Sequence, residues 1–488
     1  CAGARHPRAG SSRAVQQRTQ RHVAGERHQR RRRGHKQAID DAPRRGLSVH
    51  HGIGRHAELA VTFQIAEVVE DLVRRLEQDE KDDQRDDENE DEEENDAEPE
   101  NDLLANVIRV GTPFAPLFVL IGAVALGYLR GPGAALLAKT TRKGCRGLPV
   151  LTTAVSPCTC SATRVAAIQA GLPMDSVAMA VNRLCSSGLQ GIVTTAQNIL
   201  LGDCDYGIGG GVEVMSKGGY LSAAMRNGAR MGDTKMIDTM VSTLTDPFGV
   251  GHMGITAENL AAKWGITREQ QDALAVESQR RAAAAIAEGR FKSQIVPVVI
   301  ASKKGDVSFD TDEHVKPGTT METLAKMRAA FKKDGAVTAG NASGINDGAG
   351  AVVLASAEAV KAGNLKPIAR LVSYAHAGVE PTIMGIGPVP ATKLALEKAG
   401  LAINDLDWIE INEAFASQSV AIKKELGLNP DIVNVNGGAI ALGHPLGCTG
   451  AKLSVQLFEE MRLRKSKYGI VSMCVGTGQG SAGIYELL

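Results

Sequence analysis

The stretch SVAMAVNRLCSSGLQGIVTTAQNIL, residues 176–200, decides the fold of the larger part of the chain. Its first six residues form an apolar run that is typical of a strand, and small residues follow Cys185. The apolar residues after that point recur at helical spacing, and they are Leu189, Ile192, Val193, Ala196, Ile199 and Leu200. The pattern predicts a strand, a turn and a helix, with Cys185 at or near the start of the helix.

A cysteine at that place has two interpretations. The free backbone N–H groups and the dipole of a helix N-terminus favour a thiolate and can stabilise an oxyanion, which makes Cys185 a candidate nucleophile. The alternative is a small core cysteine, the commoner state of a single cysteine. The small residues Ser186, Ser187 and Gly188 leave room for a substrate and favour the catalytic interpretation.

Outside this stretch, short runs of β-forming residues alternate with helical patterns and glycine-marked turns. Strands are predicted at 176–184, 206–211, 351–355, 408–411, 432–436 and 469–475, and helices at 268–287 and 390–399. Such alternation is typical of α/β layers. The composition, with 54 glycines and eight scattered cysteines, excludes a coiled coil and a disulfide scaffold and indicates a reducing compartment. We therefore expect a cytoplasmic protein, with a mitochondrial or peroxisomal location as the alternatives.

A second candidate site is the glycine-rich segment NGGAIALGHPLGCTG, residues 436–450. Its histidine, His444, is either a satisfied structural group or a base, because a neutral imidazole can accept a thiol proton. His444 and Cys448 have the spacing of metal ligands on one helix face, but no further ligand pair accompanies them. We therefore predict no metal.

Two more candidates follow predicted strands. Cys474 ends the strand of YGIVSMCVGTGQG, residues 468–480, and is either packed in the core or a general acid/base. Asn412 and Glu413 come directly after the strand at 408–411, where a polar pair serves as a helix cap or as part of a site.

The first hundred residues differ from the rest, although the whole chain balances 55 basic against 55 acidic side chains. Residues 1–60 carry a net charge of +10 and residues 61–102 a net charge of −16. Residues 1–56 read as a disordered basic tail, with a nucleic-acid arm or a targeting segment as the alternatives. Residues 58–76 fit one amphipathic helix, and the acidic tract at 77–102 predicts disorder.

An apolar segment lies between Arg109 and Arg130, which enclose twenty uncharged residues. Its length makes it a candidate membrane span. Pro113 and Pro116 shorten the helix to about 117–129, which suits a buried helix or strand better. We therefore expect no membrane span.

Taken in their order along the chain, the four motifs around Cys185, Asn412, His444 and Cys474 resemble the thiolase family. The resemblance runs from about residue 163 to residue 488. It implies an α/β fold of five layers, αβαβα, with two similar halves and an inserted loop domain. The implied parts are a charged extension at 1–102, an N-terminal half at 103–217 that is atypical over 103–162, a loop domain at 218–345 and a C-terminal half at 346–488.

The same resemblance implies a role for each motif. Cys185 would be the nucleophile that takes up an acyl group as a thioester, and His444 the base that activates it. Cys474 would remove the α-proton of a second acetyl-CoA or return it. Asn412, through a water, would form one oxyanion site together with His444, and the N–H groups of Cys185 and Gly476 would form the other.

The substrates implied are coenzyme A thioesters, with no cofactor besides them. The residues that would line the pantetheine tunnel are His252, Met253, Phe331, Ala339, Ser343 and Met384. The pair His252-Met253 with Phe331 is similar to the short-chain, acetoacetyl-type pocket. The segments CSSG at 185–188 and VSMCVGTG at 471–478 are more similar to long-chain 3-ketoacyl-CoA thiolases.

We expect an acetyl-CoA C-acetyltransferase that acts as a homodimer or homotetramer. The alternatives are a degradative 3-ketoacyl-CoA thiolase, a decarboxylating ketoacyl synthase and an inactive thiolase-like binding protein with a nucleic-acid arm. Residues 115–162 depart from the family pattern and residues 1–102 have no recognised counterpart. This departure motivates the hypothesis that a misread gene model produced the first 160 residues.

Overall fold

The computed structural model describes residues 61–63, 147–151 and 159–488, with side chains described from Thr163 onward. The strands are β1 Val61–Phe63, β2 Gly147–Leu151, β3 Met179–Ala180, β4 Tyr206–Val214, β5 Tyr220–Leu221, β6 Ile237–Asp238, β7 Thr245–Asp246, β8 Gly251–His252, β9 Val298–Ile300, β10 Val307–Phe309, β11 Asp347–Ala355, β12 Ala369–Gly378, β13 Trp408–Ile411, β14 Tyr468–Val475 and β15 Gln479–Leu487. The α-helices are α1 Thr159–Gln169, α2 Ser187–Leu200, α3 Thr239–Thr243, α4 Met253–Trp264, α5 Arg268–Ala287, α6 Met321–Ala325, α7 Ala357–Ala362, α8 Pro388–Ala399, α9 Ala416–Leu426, α10 Ala439–Leu442 and α11 Thr449–Arg464.

One mixed sheet of nine strands organises the described part of the chain, in the order β13-β14-β15-β12-β1-β11-β4-β2-β3. The pairs β13–β14, β2–β4 and β2–β3 are parallel, and the other neighbours are antiparallel. Strand β1 joins the two halves of the sheet, because it pairs with β11 on one side and with β12 on the other.

Strand β1 corrects the helix predicted at 58–76 at residues 61–63, and the rest of that predicted helix lies outside the described residues. The three residues Val61, Thr62 and Phe63 are β-branched or aromatic, and the edges of β11 and β12 offer them hydrogen-bond partners on both sides. Sheet pairing here overrides the helical periodicity. The predicted basic tail, acidic tract and apolar segment at 109–130 lie outside the described residues.

Two helices, α2 and α11, form the central layer. They share one hydrophobic core with both halves of the sheet, through residues such as Leu189, Phe458, Leu354 and Val471. The helices cross with their backbones in contact: a Cβ on Gly188 would lie 2.5 Å from Ala451 N, and a Cβ on Gly450 would lie 2.2 Å from Leu189 N. Only glycine fits at both positions.

Outer helices cover the face of each half of the sheet that points away from α2 and α11. On the C-terminal side, α8 and α9 pack on β12 to β15 through a second core that includes Ala395, Ile422 and Ile411. On the N-terminal side, α1 and α7 pack on β4 and β11 through Ala167, Tyr206 and Ala359. The order of layers is therefore αβαβα, which confirms the predicted fold.

The chain between β4 and β11, residues 215–346, lies outside the nine-stranded sheet. It forms α3 to α6 and three two-stranded sheets, β5–β6, β7–β8 and β9–β10. The region is inserted between neighbouring antiparallel strands, the place where the resemblance puts a loop domain. The boundaries of the predicted parts stay a prediction.

Most predicted elements match the structure, and one predicted strand is wrong. The helix predicted at 268–287 and the strand at 408–411 have the observed bounds, whereas the apolar run at 176–184 keeps only β3 as strand. At 432–436 there is no strand beyond a single bridge from Val433 to Ile409. The reason is Asn434, which has φ +48° and whose side-chain amide occupies both the N–H and the carbonyl of Ile411.

Candidate active site

Cys185 lies in the turn of 3₁₀-helix Leu184–Ser186, immediately before α2, as predicted. The residue before it, Leu184, has φ +46°, a conformation that side chains other than glycine rarely adopt. Two hydrogen bonds hold it there: Leu184 N–H donates to Asn182 Oδ1 at 2.8 Å, and Ser187 Oγ donates to the Leu184 carbonyl at 2.7 Å. The local structure thus fixes where the sulfur points.

The Cys185 thiol is half-buried and protonated at neutral pH. Burial raises its pKa to about 11, and the charge of Glu213 raises it further, whereas the backbone N–H groups of Gly476 and of Cys185 itself lower it. The N–H groups that lower the pKa are the pair predicted to bind an oxyanion. To become a nucleophile, this thiol needs a base.

His444 is buried in the neutral form, with a defined tautomer. Its Nδ1 lies 2.6 Å from Thr449 Oγ1, and that hydroxyl donates to the Pro445 carbonyl at 2.9 Å, so Nδ1 carries the hydrogen and donates it. Nε2 accepts from Asn412 Nδ2 at 3.2 Å. Burial, with the charge of Lys452, lowers the pKa of His444 to about 3. The imidazole therefore presents a lone pair to the site.

Cys474 lies near the end of β14 and is fully buried. Burial raises its pKa well above the usual thiol value, and Cys185, whose turn contacts β14, raises it further. An apolar cluster surrounds Cys474 and includes Met253, Met384 and Phe331. The structure thus brings together two thiols that are 289 positions apart in the sequence.

Asn412 and Glu413 have separate surroundings. Asn412 turns its amide toward His444, and its buried Oδ1 has no hydrogen-bond partner among the described residues. Glu413 points away and accepts from Asn434 Nδ2 at 2.8 Å and from Ser278 Oγ at 2.7 Å. Asn412 is therefore placed beside His444 in the candidate site, and Glu413 fixes the segment that carries Asn412.

The residues predicted to line the pantetheine tunnel have different exposures. Met253 and Met384 are buried beside Cys474, and Phe331 packs on this cluster. His252 stacks on Phe331 with ring centroids 4.8 Å apart and caps α4 by accepting the Gly254 N–H. Two others complete the predicted set: Ser343 Oγ donates to the Ala414 carbonyl at 3.1 Å, and Ala339 is exposed. Their contact with coenzyme A stays a prediction.

Two residues that contact the segment of His444 were not predicted from the sequence. Asn346 Oδ1 accepts the backbone N–H of His444 at 3.1 Å, and Lys452 Nζ donates to the carbonyls of Leu442 and Gly443, both at 3.1 Å. Both contacts fix the backbone that carries the imidazole. No local sequence pattern predicts the Asn346 contact, because Asn346 lies 98 positions from His444.

The described residues contain no cluster of three or more His, Cys, Asp or Glu side chains with the geometry of a metal site. Cys448, considered with His444 as a ligand pair, is buried at the start of α11, and burial raises its pKa to about 12. Among the helices that the structure describes, none combines the length and the apolar character that crossing a membrane requires.

Comparison with known sequences gives two family matches. A family model for the thiolase N-terminal domain matches residues 152–358, and one for the thiolase C-terminal domain matches residues 365–487. Beta-ketothiolase BktB of Cupriavidus necator is 56% identical over 324 residues, which make up 66% of this chain and 82% of that protein. Acetyl-CoA acetyltransferase of Pseudomonas aeruginosa is 53% identical over 321 residues, 65% of this chain and 82% of that one.

Solved structures give the same picture. Human mitochondrial 3-ketoacyl-CoA thiolase in complex with CoA matches with a TM-score of 0.71 and 41% identity, covering 78% of this chain and 93% of that one. Acetyl-CoA acetyltransferase of Bacillus anthracis matches with a TM-score of 0.68 and 42% identity, covering 73% and 92%. The sequence and structure comparisons point to the same group of enzymes.

Proposed function

Since the chain belongs to the thiolase family and is an enzyme of the thiolase type, we propose that it joins two acetyl-CoA molecules reversibly into acetoacetyl-CoA and free CoA. The observation that carries the proposal is the convergence of three segments: the turn of Cys185 contacts β14, the strand of Cys474, and Asn412 donates its N–H to the Ser472 carbonyl of that strand while its Nδ2 lies 3.2 Å from Nε2 of the neutral His444. A Claisen condensation needs a nucleophile, a base and anion-stabilising groups, and this set supplies each of them.

In the acylation step, Cys185 gives its proton to Nε2 of His444 and attacks the thioester carbonyl of the first acetyl-CoA. The N–H groups of Cys185 and Gly476 stabilise the oxyanion of the tetrahedral intermediate. Cys474, protonated at rest, donates its proton to the departing sulfur of CoA. The products are acetyl-Cys185, free CoA, an imidazolium at His444 and a thiolate at Cys474.

In the condensation step, the Cys474 thiolate removes the α-proton of the second acetyl-CoA. The imidazolium of His444 and the amide of Asn412 stabilise the enolate oxygen. The enolate carbon attacks the acetyl carbonyl on Cys185, and the Cys185 sulfur leaves and takes back its proton from His444. Every group then returns to its starting protonation state, which agrees with the raised pKa of both thiols and the lowered pKa of His444.

The short-chain substrate is supported by the packing near Cys474. The side chains of Met253, Met384 and Phe331 fill the space beside that sulfur, and Phe331 is backed by Phe415 at 6.0 Å between ring centroids. A degradative 3-ketoacyl-CoA thiolase is the second candidate, favoured by the segment VSMCVGTG at 471–478. We further propose acyl-CoA thioesters as the substrates, a homodimer or homotetramer as the assembly and the cytoplasm as the compartment.

Labelled acetyl-CoA tests the proposal directly. After incubation and peptide mapping, the label should be on Cys185, and Cys204→Ala should leave the labelling unchanged because Cys204 packs in the central core. Label on another residue, or no label, would refute the acyl-cysteine mechanism. Thiolysis rates across chain lengths decide between the two candidates, since a preference for substrates of eight carbons or more would contradict the short-chain assignment.

A further inference from the structure

Two turns from distant parts of the chain meet at Cys185. One is the nucleophile turn, residues 182–187, and the other is the hairpin turn between β14 and β15, residues 476–478. Both contain a residue other than glycine at positive φ, Leu184 at +46° and Thr477 at +70°. Backbones in this region are strained and hold their shape only where surrounding contacts impose it.

Arg183 connects the two turns. Its Nε donates to Gln190 Oε1 of α2 at 2.8 Å, and its Nη1 donates to Gln479 Oε1, at the start of β15, at 3.1 Å. Gln479 Nε2 then donates to Thr477 Oγ1 at 3.2 Å, and that hydroxyl donates to the Gly476 carbonyl. A continuous chain of side-chain hydrogen bonds thus runs from the nucleophile turn to the carbonyl of Gly476, the residue whose N–H faces Cys185.

The backbone of Arg183 is fixed as well. Its N–H donates to Ser187 Oγ at 2.9 Å, the hydroxyl that also holds the Leu184 carbonyl. The guanidinium is half-buried, and its planar fork bonds two partners in fixed directions, which a lysine ammonium does not do. The Arg183 fork therefore sets the distance between the two turns.

Building on the proposed function, we propose that Arg183 is a positioning residue that sets the spacing between the N–H groups of Cys185 and Gly476, the two donors of the oxyanion site. Arg183 acts through Gln479 and Thr477 and does not touch the reacting atoms. Oxyanion donors are effective only when they are preorganised at the right distance, so the bridge contributes to the turnover rate and not to substrate binding.

The test uses Arg183→Lys, Gln479→Leu and the double variant in the full chain. Gln197→Leu is the matched control, because Gln197 lies on the same helix α2 and donates to Tyr374 Oη at 2.6 Å, away from the bridge. We expect each single variant to lower kcat for acetoacetyl-CoA thiolysis by about tenfold, with KM within about twofold. The double variant should be no slower than the slower single variant, because both break one bridge.

A second readout separates positioning from a loss of folded protein. Alkylation of Cys185 by iodoacetamide, followed peptide by peptide against pH, should move to higher pH in both single variants, because the Gly476 N–H that lowers the thiol pKa moves away. The inference would be overturned if the variants kept the kcat and the alkylation profile of the wild type. It would also be overturned if the losses of kcat in the two single variants added up in the double variant. If the wild type shows no thiolysis, the proposed function fails, and the alkylation shift still decides the role of Arg183.

Discussion

At the scale of single residues, the site separates two thiols by their surroundings. Cys185 is half-buried and meets backbone N–H groups from two turns, which oppose the effect of burial on its pKa. Cys474 is fully buried in an apolar cluster, where burial and the charge of Cys185 act in the same direction. The Cys185 thiol is therefore the easier one to ionise and the Cys474 thiol the harder one, which fits the roles proposed for them.

Replacing each cysteine should give different defects. Cys185→Ala should abolish the acyl-enzyme, because no other described thiol combines partial exposure with backbone N–H donors. Cys474→Ala should still become acetylated but should not condense acetyl-CoA. Label incorporation and acetoacetyl-CoA formation, measured side by side, check this, and equal acylation defects in both variants would contradict the division of roles.

Lys452 should influence the pH dependence of acylation. Its charge lowers the pKa of His444, so Lys452→Met should raise that pKa, and the acidic limb of the pH–rate profile should move to higher pH. The shift should be partial, since burial is the larger cause and remains. Lys452→Arg should keep the wild-type limb, and Lys393→Met, at an exposed position of α8, should have no effect. An unmoved limb in Lys452→Met would exclude the electrostatic role.

At the scale of elements, the crossing of α2 and α11 joins the segments that carry the proposed nucleophile and the proposed base. Cys185 precedes α2, and Thr449, the first residue of α11, receives the hydrogen bond of His444 Nδ1. Because the helices touch at Gly188 and Gly450, their separation is set by backbone contact and not by side-chain packing.

A methyl group at that crossing should separate the helices. In Gly450→Ala the new Cβ would lie 2.2 Å from Leu189 N, a backbone atom that has no rotamer to move aside. We expect a loss of roughly 1–3 kcal/mol in the free energy of unfolding, together with reduced acylation. Urea melts check the stability. Gly219→Ala is the control, because nothing lies within 4 Å of its Cβ position, and equal effects of the two changes would refute the argument.

How well the sequence predicted an element depended on whether its cause is local. The helix Arg268–Ala287 and the strand Trp408–Ile411 follow from contiguous patterns and were predicted with their observed bounds. The strand expected at 432–436 does not form, because the side chain of Asn434 takes up the backbone hydrogen bonds of Ile411 that a neighbouring strand would use. The contacts that orient His444 come from distant positions and become visible only once the chain is folded.

At the scale of the whole molecule, the described part of the chain holds two histidines whose pKa values are strongly lowered. His444 and His376 have pKa values lowered to about 3 and about 4, chiefly by burial. Below the ordinary histidine pKa the unfolded chain binds these protons and the folded chain does not. Their contribution to stability is therefore present above about pH 6.5 and is lost progressively toward the folded values.

Acid unfolding should report on these histidines. His376→Asn should make the free energy of unfolding fall less steeply than in the wild type between about pH 6.5 and pH 4, because one proton-binding difference is removed. Urea midpoints measured across this range check the slope. A variant that loses stability with pH as steeply as the wild type would show that His376 is protonated in the folded protein.

The glycine contact between α2 and α11 also fixes the positions of Cys185 and His444, whereas the residues that pack around Cys474 are not held by this contact. The segments of Cys185 and His444 are anchored to one crossing, so a shift of one of these residues would disturb the other. Met253 and Phe331 belong to the inserted region, and Met384 to a short 3₁₀ turn, and none of these segments is part of that crossing. Changes at Met253, Phe331 and Met384 could therefore alter the acyl group accepted under the proposed function without moving Cys185 or His444.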